Sequence, residues 1–351
     1  MTIFENKILR ILLIPLSLLY QFIIFLRNKF YDWHIFKSFR LSCPVLCVGN
    51  ISVGGTGKTP VVEFLAHTLR HTYNQQVAIV SRGYKRLTNG TVIVTNGQDN
   101  PIDVKLAGDE PFLLANHLQN IPIIVDKDRV RGAQFAIDHF RPDFILLDDG
   151  FQHRRLARDL NIIVVNAMTG FGNKRLLPAG PLRESIKAIK RAHYIWINHI
   201  DTGRASQFFN GEEIYHLKLP VVEADYVPEM LINLKNRQPA ALEVIRNKRI
   251  LAFAGIAFPE RFQRTLTKLE PSWFALKTFR DHHAYTESDM HLIQEMSQTT
   301  QADFILTTEK DAVKLNWELN FTTPIYYLKM GIKLKKEVTL FQEILRLKLK
   351  I

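Results

Sequence analysis

The run VLCVGNISVGGTGKTP, Val45 to Pro60, constrains the fold more than any other stretch of the chain. VLCVG reads as a buried β-strand, GNISVGGTGKT as a glycine-rich turn, and TPVVEFLAHTLRH as a helix with Pro60 in its first turn. Strand, glycine turn and helix in that order is the context of a phosphate loop, carried by a mostly parallel sheet. Counting back from Gly57-Lys58-Thr59, the first glycine of G-x-x-x-x-G-K-[ST] falls at position 52, where the chain has Ser52. The pair Gly54-Gly55 still allows backbone to approach the distal phosphates closely. The nucleotide loop is therefore expected to comprise Ser52, Val53, Gly54, Gly55, Thr56, Gly57, Lys58 and Thr59. The glycine-rich backbone wraps the phosphates of ATP, Lys58 reaches the β- and γ-phosphates, and Thr59 holds Mg²⁺ at the helix N-terminus. Partitioning ATPases carry a signature lysine before their glycine pair; Val53 stands there and argues against that class.

Such a loop needs a second Mg²⁺ ligand from the end of a neighbouring strand. PDFILLDDGFQHRRL supplies Asp148 and Asp149 after a four-residue apolar run. Adjacent residues leaving a strand point to opposite sides, so one faces the metal while the other serves its shell or a nearby base. The sequence leaves open which does which.

Strand-like runs at 45–49, 77–81, 92–95, 121–125, 144–147, 162–166 and 194–198 alternate with helical periodicity, and a second αβ run begins near 249. The fold class expected is α/β: an αβα sandwich of the phosphate-loop NTPase kind, a second, smaller αβα domain and an N-terminal membrane-associated helix. The expected boundaries are 1–40 for the membrane segment, 41–205 for the nucleotide domain, 206–240 for a strand-rich bridge and 241–351 for the C-terminal domain. That last domain closes with a basic amphipathic helix over 335–350.

A net charge of +12 calls for an acidic partner. Lys7 and Arg10 precede an apolar run over 11–26, broken only by Pro15, Ser17, Tyr20 and Gln21, and Arg27 and Lys29 follow it. Its 16 residues fall short of a bilayer span, which takes ~20. No A-x-A cleavage site follows it. An in-plane anchor on an anionic membrane surface fits this pattern, with Phe22, Phe25 and Trp33 among its interfacial aromatics. The cations form no stripe interleaved with aromatics, so nucleic acid is not expected as a partner. Cys43 and Cys47 lack a second Cys/His cluster and read as buried, reduced thiols.

Further polar groups stand at predicted strand ends, where open α/β sheets bind ligands. SRGY (81–84), GDEP (108–111), DRVRGA (128–133), LDDGFQHRRL (147–156), LLPAGPLRE (176–184), AFAGIAFPERF (252–262), DHHAY (281–285) and TTEKDAVK (307–314) occur in this order. With VGGTGKTP, they resemble the lipid A 4′-kinases, also called tetraacyldisaccharide 4′-kinases. Departures from that pattern are Ser52, where the family often has threonine, and Ala257, where a glycine is expected. The resemblance implies Mg²⁺-dependent transfer of the γ-phosphate of ATP to the 4′-hydroxyl of a tetraacyl glucosamine disaccharide 1-phosphate. The product would be lipid IVA, made on the cytoplasmic face of the bacterial inner membrane; apart from the resemblance, the chain is expected to act as a monomer. It further implies Asp109 as proton acceptor with His282 as its partner in a cleft between the domains, Arg129 on the transferring phosphoryl group, and Glu184 lining the nucleotide site. Arg82 is a weaker candidate for a phosphate contact. Judged on the residues alone, a phosphate-loop kinase of a soluble hydroxyl acceptor is the alternative.

Overall fold

The computed structural model describes residues 11–199, 216–281, 283–315, 321–335 and 339–348. The chain divides into two compact units, Met1–Asp225 with Leu334–Ile351, and Tyr226–Lys333. In the first unit the strands are β1 (Val45–Gly49), β2 (Val77–Ser81), β3 (Val92–Thr95), β4 (Ile123–Val125), β5 (Phe144–Asp148), β6 (Leu160–Asn166), β7 (Tyr194–His199) and the start of β8 (Val221–Asn233). Their order is β8-β7-β6-β1-β5-β2-β4-β3. All pairings are parallel except that of β3 with β4. Every residue of β1, β2, β5 and β6 is buried. A parallel sheet covered on both faces demands this, and it explains why these strands read as continuous apolar runs.

The helices of this unit are α1 (Ile14–Asp32), α2 (Lys58–His67), α3 (Val104–Ala107), α4 (Asp109–His117) and α5 (Arg129–Phe140). β1 lies between β5 and β6, and its register sets Val48 opposite Asp148. The loop leaving β1 and the acidic end of β5 are neighbours for that reason. Cys43 and Cys47 are free and buried, and burial pushes the Cys47 thiol up to about 11.

On α1, Leu16, Leu18, Leu19, Phe22, Ile23 and Phe25 are each more than half exposed, whereas Ser17 is buried. Among the described residues no helix is long and apolar enough to cross a membrane. Lys7 and Arg10 lie outside the described residues.

The second unit carries β10 (Arg249–Ala254), β11 (Trp273–Thr278), β12 (Phe304–Thr308) and β13 (Ile325–Leu334), after the short β9 (Pro239–Ala240). The strand order is β11-β10-β12-β13-β8. Its helices are α6 (Pro259–Lys268), α7 (Glu287–Thr299) and the one-turn α8 (Glu309–Ala312). Asp311 is fully buried and accepts from the Gly255 backbone N–H at 3.0 Å, tying the turn after β10 to the turn after β12.

Two expectations change. The expected bridge over 206–240 is not separate: β8 runs unbroken over 221–233, with 221–225 in the first unit and 226–233 in the second, and 206–215 lie outside the described residues. The C-terminal domain does not extend to 351, because α9 (Leu340–Lys348) belongs to the first unit. Its apolar face explains the change: the Phe341 ring stacks on Tyr73 and packs against Phe64, and Tyr194 donates to Glu343 at 2.5 Å.

Candidate active site

The turn after β1 is held from two sides. Gly54 and Gly57 have φ of 101° and 82°, left-handed values that side chains disfavour. Asn50 donates through Nδ2 to Thr56 Oγ1 at 2.9 Å. From the end of β7, fully buried Asn198 donates to the carbonyls of Thr56 and Gly57 at 3.2 and 3.1 Å, while its Oδ1 accepts from Trp196 Nε1 at 2.8 Å. On the opposite side, Val53 N–H donates to Pro181 O at 2.8 Å, and Arg183 N–H to Ile51 O at 2.7 Å. Ser52, nearly buried, forms an antiparallel bridge with Leu182. The missing glycine is thus explained: position 52 pairs with a neighbouring segment, and the left-handed turns fall on Gly54 and Gly57.

Lys58 and Thr59 open α2, with Thr59 buried. Lys58 Nζ lies 3.6 Å from Asp149 Oδ1, and Arg183 Nη1 reaches the two Asp149 oxygens at 3.1 and 2.9 Å. Burial opposes ionisation of Asp149, but Lys58 and Arg183 outweigh it and hold the carboxyl below the usual carboxylate range. Asp148 has the opposite environment. It is buried, its Oδ2 accepts from Ser81 Oγ at 2.9 Å, and its Oδ1 has no partner. Burial, then the charges of Glu110 and Asp149, push it up to about 7.

Glu110 stands beside Asp109 in the first turn of α4, and Asp109 is partly exposed there. Arg129 opens α5 and is buried; its Nη1 donates to Lys127 O at 2.9 Å. Burial and the nearby Arg82 lower its pKa, while Asp149 and Asp148 counter them. Arg82 itself is exposed.

The structure therefore gathers Lys58, Thr59, Asp148, Asp149 and Arg129 at the C-terminal edge of the sheet. His282 lies outside the described residues. Glu184, expected to line the nucleotide site, is fully buried, with Oε2 accepting from Asn28 Nδ2 at 2.9 Å and Arg191 Nη2 at 2.6 Å. Through Asn28 this carboxylate anchors α1, and its Oε1 has no partner. Asn198 and Arg183 were missed; both occupy strand-end or motif positions, yet nothing in local spacing marks them as loop supports.

The residues fit Mg²⁺. A partnerless buried oxygen on Asp148, kept basic by negative neighbours, beside a threonine at a helix N-terminus suits a cation that also takes phosphate oxygens. No cluster of three or more His, Cys, Asp or Glu that could hold a metal alone occurs among the described residues. A pH effect follows: the ligand is the ionised carboxylate, so protonation of Asp148 competes with metal-bound nucleotide. The KM for MgATP is expected to rise as pH falls below about 7, approaching tenfold per pH unit. Initial rates across a pH series check this, and a flat KM would contradict it.

A parallel sheet whose first strand runs into a Gly-Lys-Thr loop beside the acidic end of its neighbour defines a phosphate-loop nucleotide-binding protein. The sequence profile of the tetraacyldisaccharide-1-P 4′-kinase family matches residues 9–350. The tetraacyldisaccharide 4′-kinase of Syntrophus aciditrophicus is 36% identical over 93% of this chain and 90% of its own length. That of Chlorobaculum parvum is 39% identical over 86% and 82%. LpxK from Aquifex aeolicus, solved in complex with ATP, superposes with a TM-score of 0.77 at 34% identity, covering 96% of this chain and 99% of that one. The chain belongs to the tetraacyldisaccharide-1-phosphate 4′-kinase family, and it is an ATP-dependent kinase.

Proposed function

We propose that the chain transfers the γ-phosphate of ATP to the 4′-hydroxyl of a tetraacyl glucosamine disaccharide 1-phosphate, forming lipid IVA in lipid A biosynthesis. The convergence of Lys58, Thr59, Asp148 and Arg129 at the turn after β1 carries this reading, in a chain that matches the family almost end to end. Lys58 is assigned to the β- and γ-phosphates, and backbone N–H groups of 54–57 to their oxygens. Thr59 and the free oxygen of Asp148 would hold Mg²⁺, which would supply charge neutralisation at the phosphates. Asp149 orients Lys58, and Arg129 stabilises the equatorial oxygens of the transferring group. Asp109 takes the proton of the attacking hydroxyl, with His282 as its partner.

The exposed apolar face of α1, flanked by Arg27 and Lys29, supports association with the anionic cytoplasmic surface of the inner membrane, where the chain is proposed to act as a monomer. The test is label from [γ-³²P]ATP. It is expected in detergent-dispersed tetraacyl disaccharide 1-phosphate and not in a deacylated, water-soluble disaccharide. Label in the soluble acceptor alone would overturn the lipid assignment.

A further inference from the structure

One segment, residues 175–184, has α1 on one edge and the phosphate loop on the other. Toward α1, Ser17 Oγ donates to Leu176 O at 2.8 Å, Tyr20 Oη to Arg183 O at 3.0 Å, and Asn28 Nδ2 to Glu184 Oε2 at 2.9 Å. Toward the loop, Pro181 O accepts from Val53, Leu182 bridges Ser52, and the Arg183 guanidinium grips Asp149. A second strut runs in parallel: Arg27 donates to Gln152 O, and Gln152 Nε2 donates to Asn50 O at 2.8 Å. Asn50 in turn holds Thr56.

The polar side chains of a helix whose other face is apolar and exposed thus end, one residue removed, on the nucleotide loop. An in-plane anchor needs only cations and apolar groups; it does not need a serine, a tyrosine hydroxyl and an asparagine aimed at one loop. The Tyr20 hydroxyl is kept protonated, and so a donor, first by burial and then by the charge of Glu184. Buried Glu184 would be left with one partner fewer if Asn28 were removed.

We propose that α1 is a positioning element of the nucleotide site, with Tyr20 and Asn28 holding 175–184, and through it the Ser52–Val53 edge of the phosphate loop and the Asp149 carboxylate. The inference rests on the kinase reading but not on the identity of the acceptor.

The test is MgATP binding by calorimetry on full-length Tyr20→Phe and Asn28→Ala with no acceptor present. It is accompanied by melting temperature and by sedimentation with anionic phospholipid vesicles. Each variant is expected to bind MgATP about three- to tenfold more weakly, the scale of one lost buried hydrogen bond, while sedimenting with vesicles as the parent does. In turnover, KM for ATP is expected to rise with KM for the lipid unchanged. Tyr20→Phe removes one oxygen and keeps the ring's packing, so it separates positioning from folding. Unaltered ATP affinity in both variants would overturn the proposal, as would losses that merely track the melting temperature or that appear only in vesicle binding.

Discussion

Lys58→Ala is expected to lower kcat/KM for ATP by about 10³-fold, the scale for removing one preorganised charge from a phosphoryl-transfer site, or about 4 kcal/mol of transition-state stabilisation. The side chain already points at the acidic end of the sheet, 3.6 Å from Asp149, so no reorganisation supplies a substitute cation. Folding is expected to survive. Arg183 remains on both oxygens of Asp149, and burying one lysine fewer offsets part of the lost pairing. Lys58→Arg is expected to restore little, because a planar guanidinium does not reproduce a compact ammonium at the head of α2. Steady-state kinetics beside a melting curve check this; a variant within tenfold of the parent would remove Lys58 from the mechanism.

Asp109→Asn is expected to lower kcat by about 10²- to 10⁴-fold, the usual contribution of a general base, with KM for ATP nearly unchanged. The substitution keeps size and hydrogen-bonding shape in the first turn of α4, so the helix and the adjacent Glu110 stay in place. The split between kcat and KM distinguishes this role from that of Lys58, whose loss is expected to move both. An equal loss in ATP binding would instead make Asp109 part of the nucleotide's surroundings.

What was legible in the sequence was what is covalently local. The phosphate loop, its strand and its helix occupy one continuous stretch, and strands buried on both faces announce themselves as unbroken apolar runs. Asp148 and Asp149 were legible as a pair but not as individuals. Their separation comes from a left-handed φ of 50° at Asp149, which leads its carboxylate to Arg183 and Lys58, while Asp148 stays in register with Val48 under Ser81.

One partner of Glu184, Asn28 on α1, lies far away in sequence and left no local trace. Arg191 lies only seven residues on, but Asn28 reaches Glu184 only once α1 has packed, so the burial of this carboxylate was not legible. Asn198 escaped for the same reason: an asparagine ending a strand carries no mark of the two loop carbonyls it holds. The destination of the terminal helix was equally non-local, although its apolar stripe was plain. Serine at position 52 looked like a defect only against a one-dimensional pattern; its bridge to Leu182 supplies the reason.

The most direct measurement of the central claim is the position of the phosphate in the product. The protein would be incubated with ATP, Mg²⁺ and tetraacyl glucosamine disaccharide 1-phosphate, and the extracted lipid analysed by tandem mass spectrometry and phosphorus NMR. The predicted result is a single added phosphate monoester on the 4′-oxygen of the non-reducing glucosamine, with the 1-phosphate unchanged and no such product from Lys58→Ala. A phosphate added at any other position, or ATP consumed to inorganic phosphate with the lipid unaltered, would contradict it.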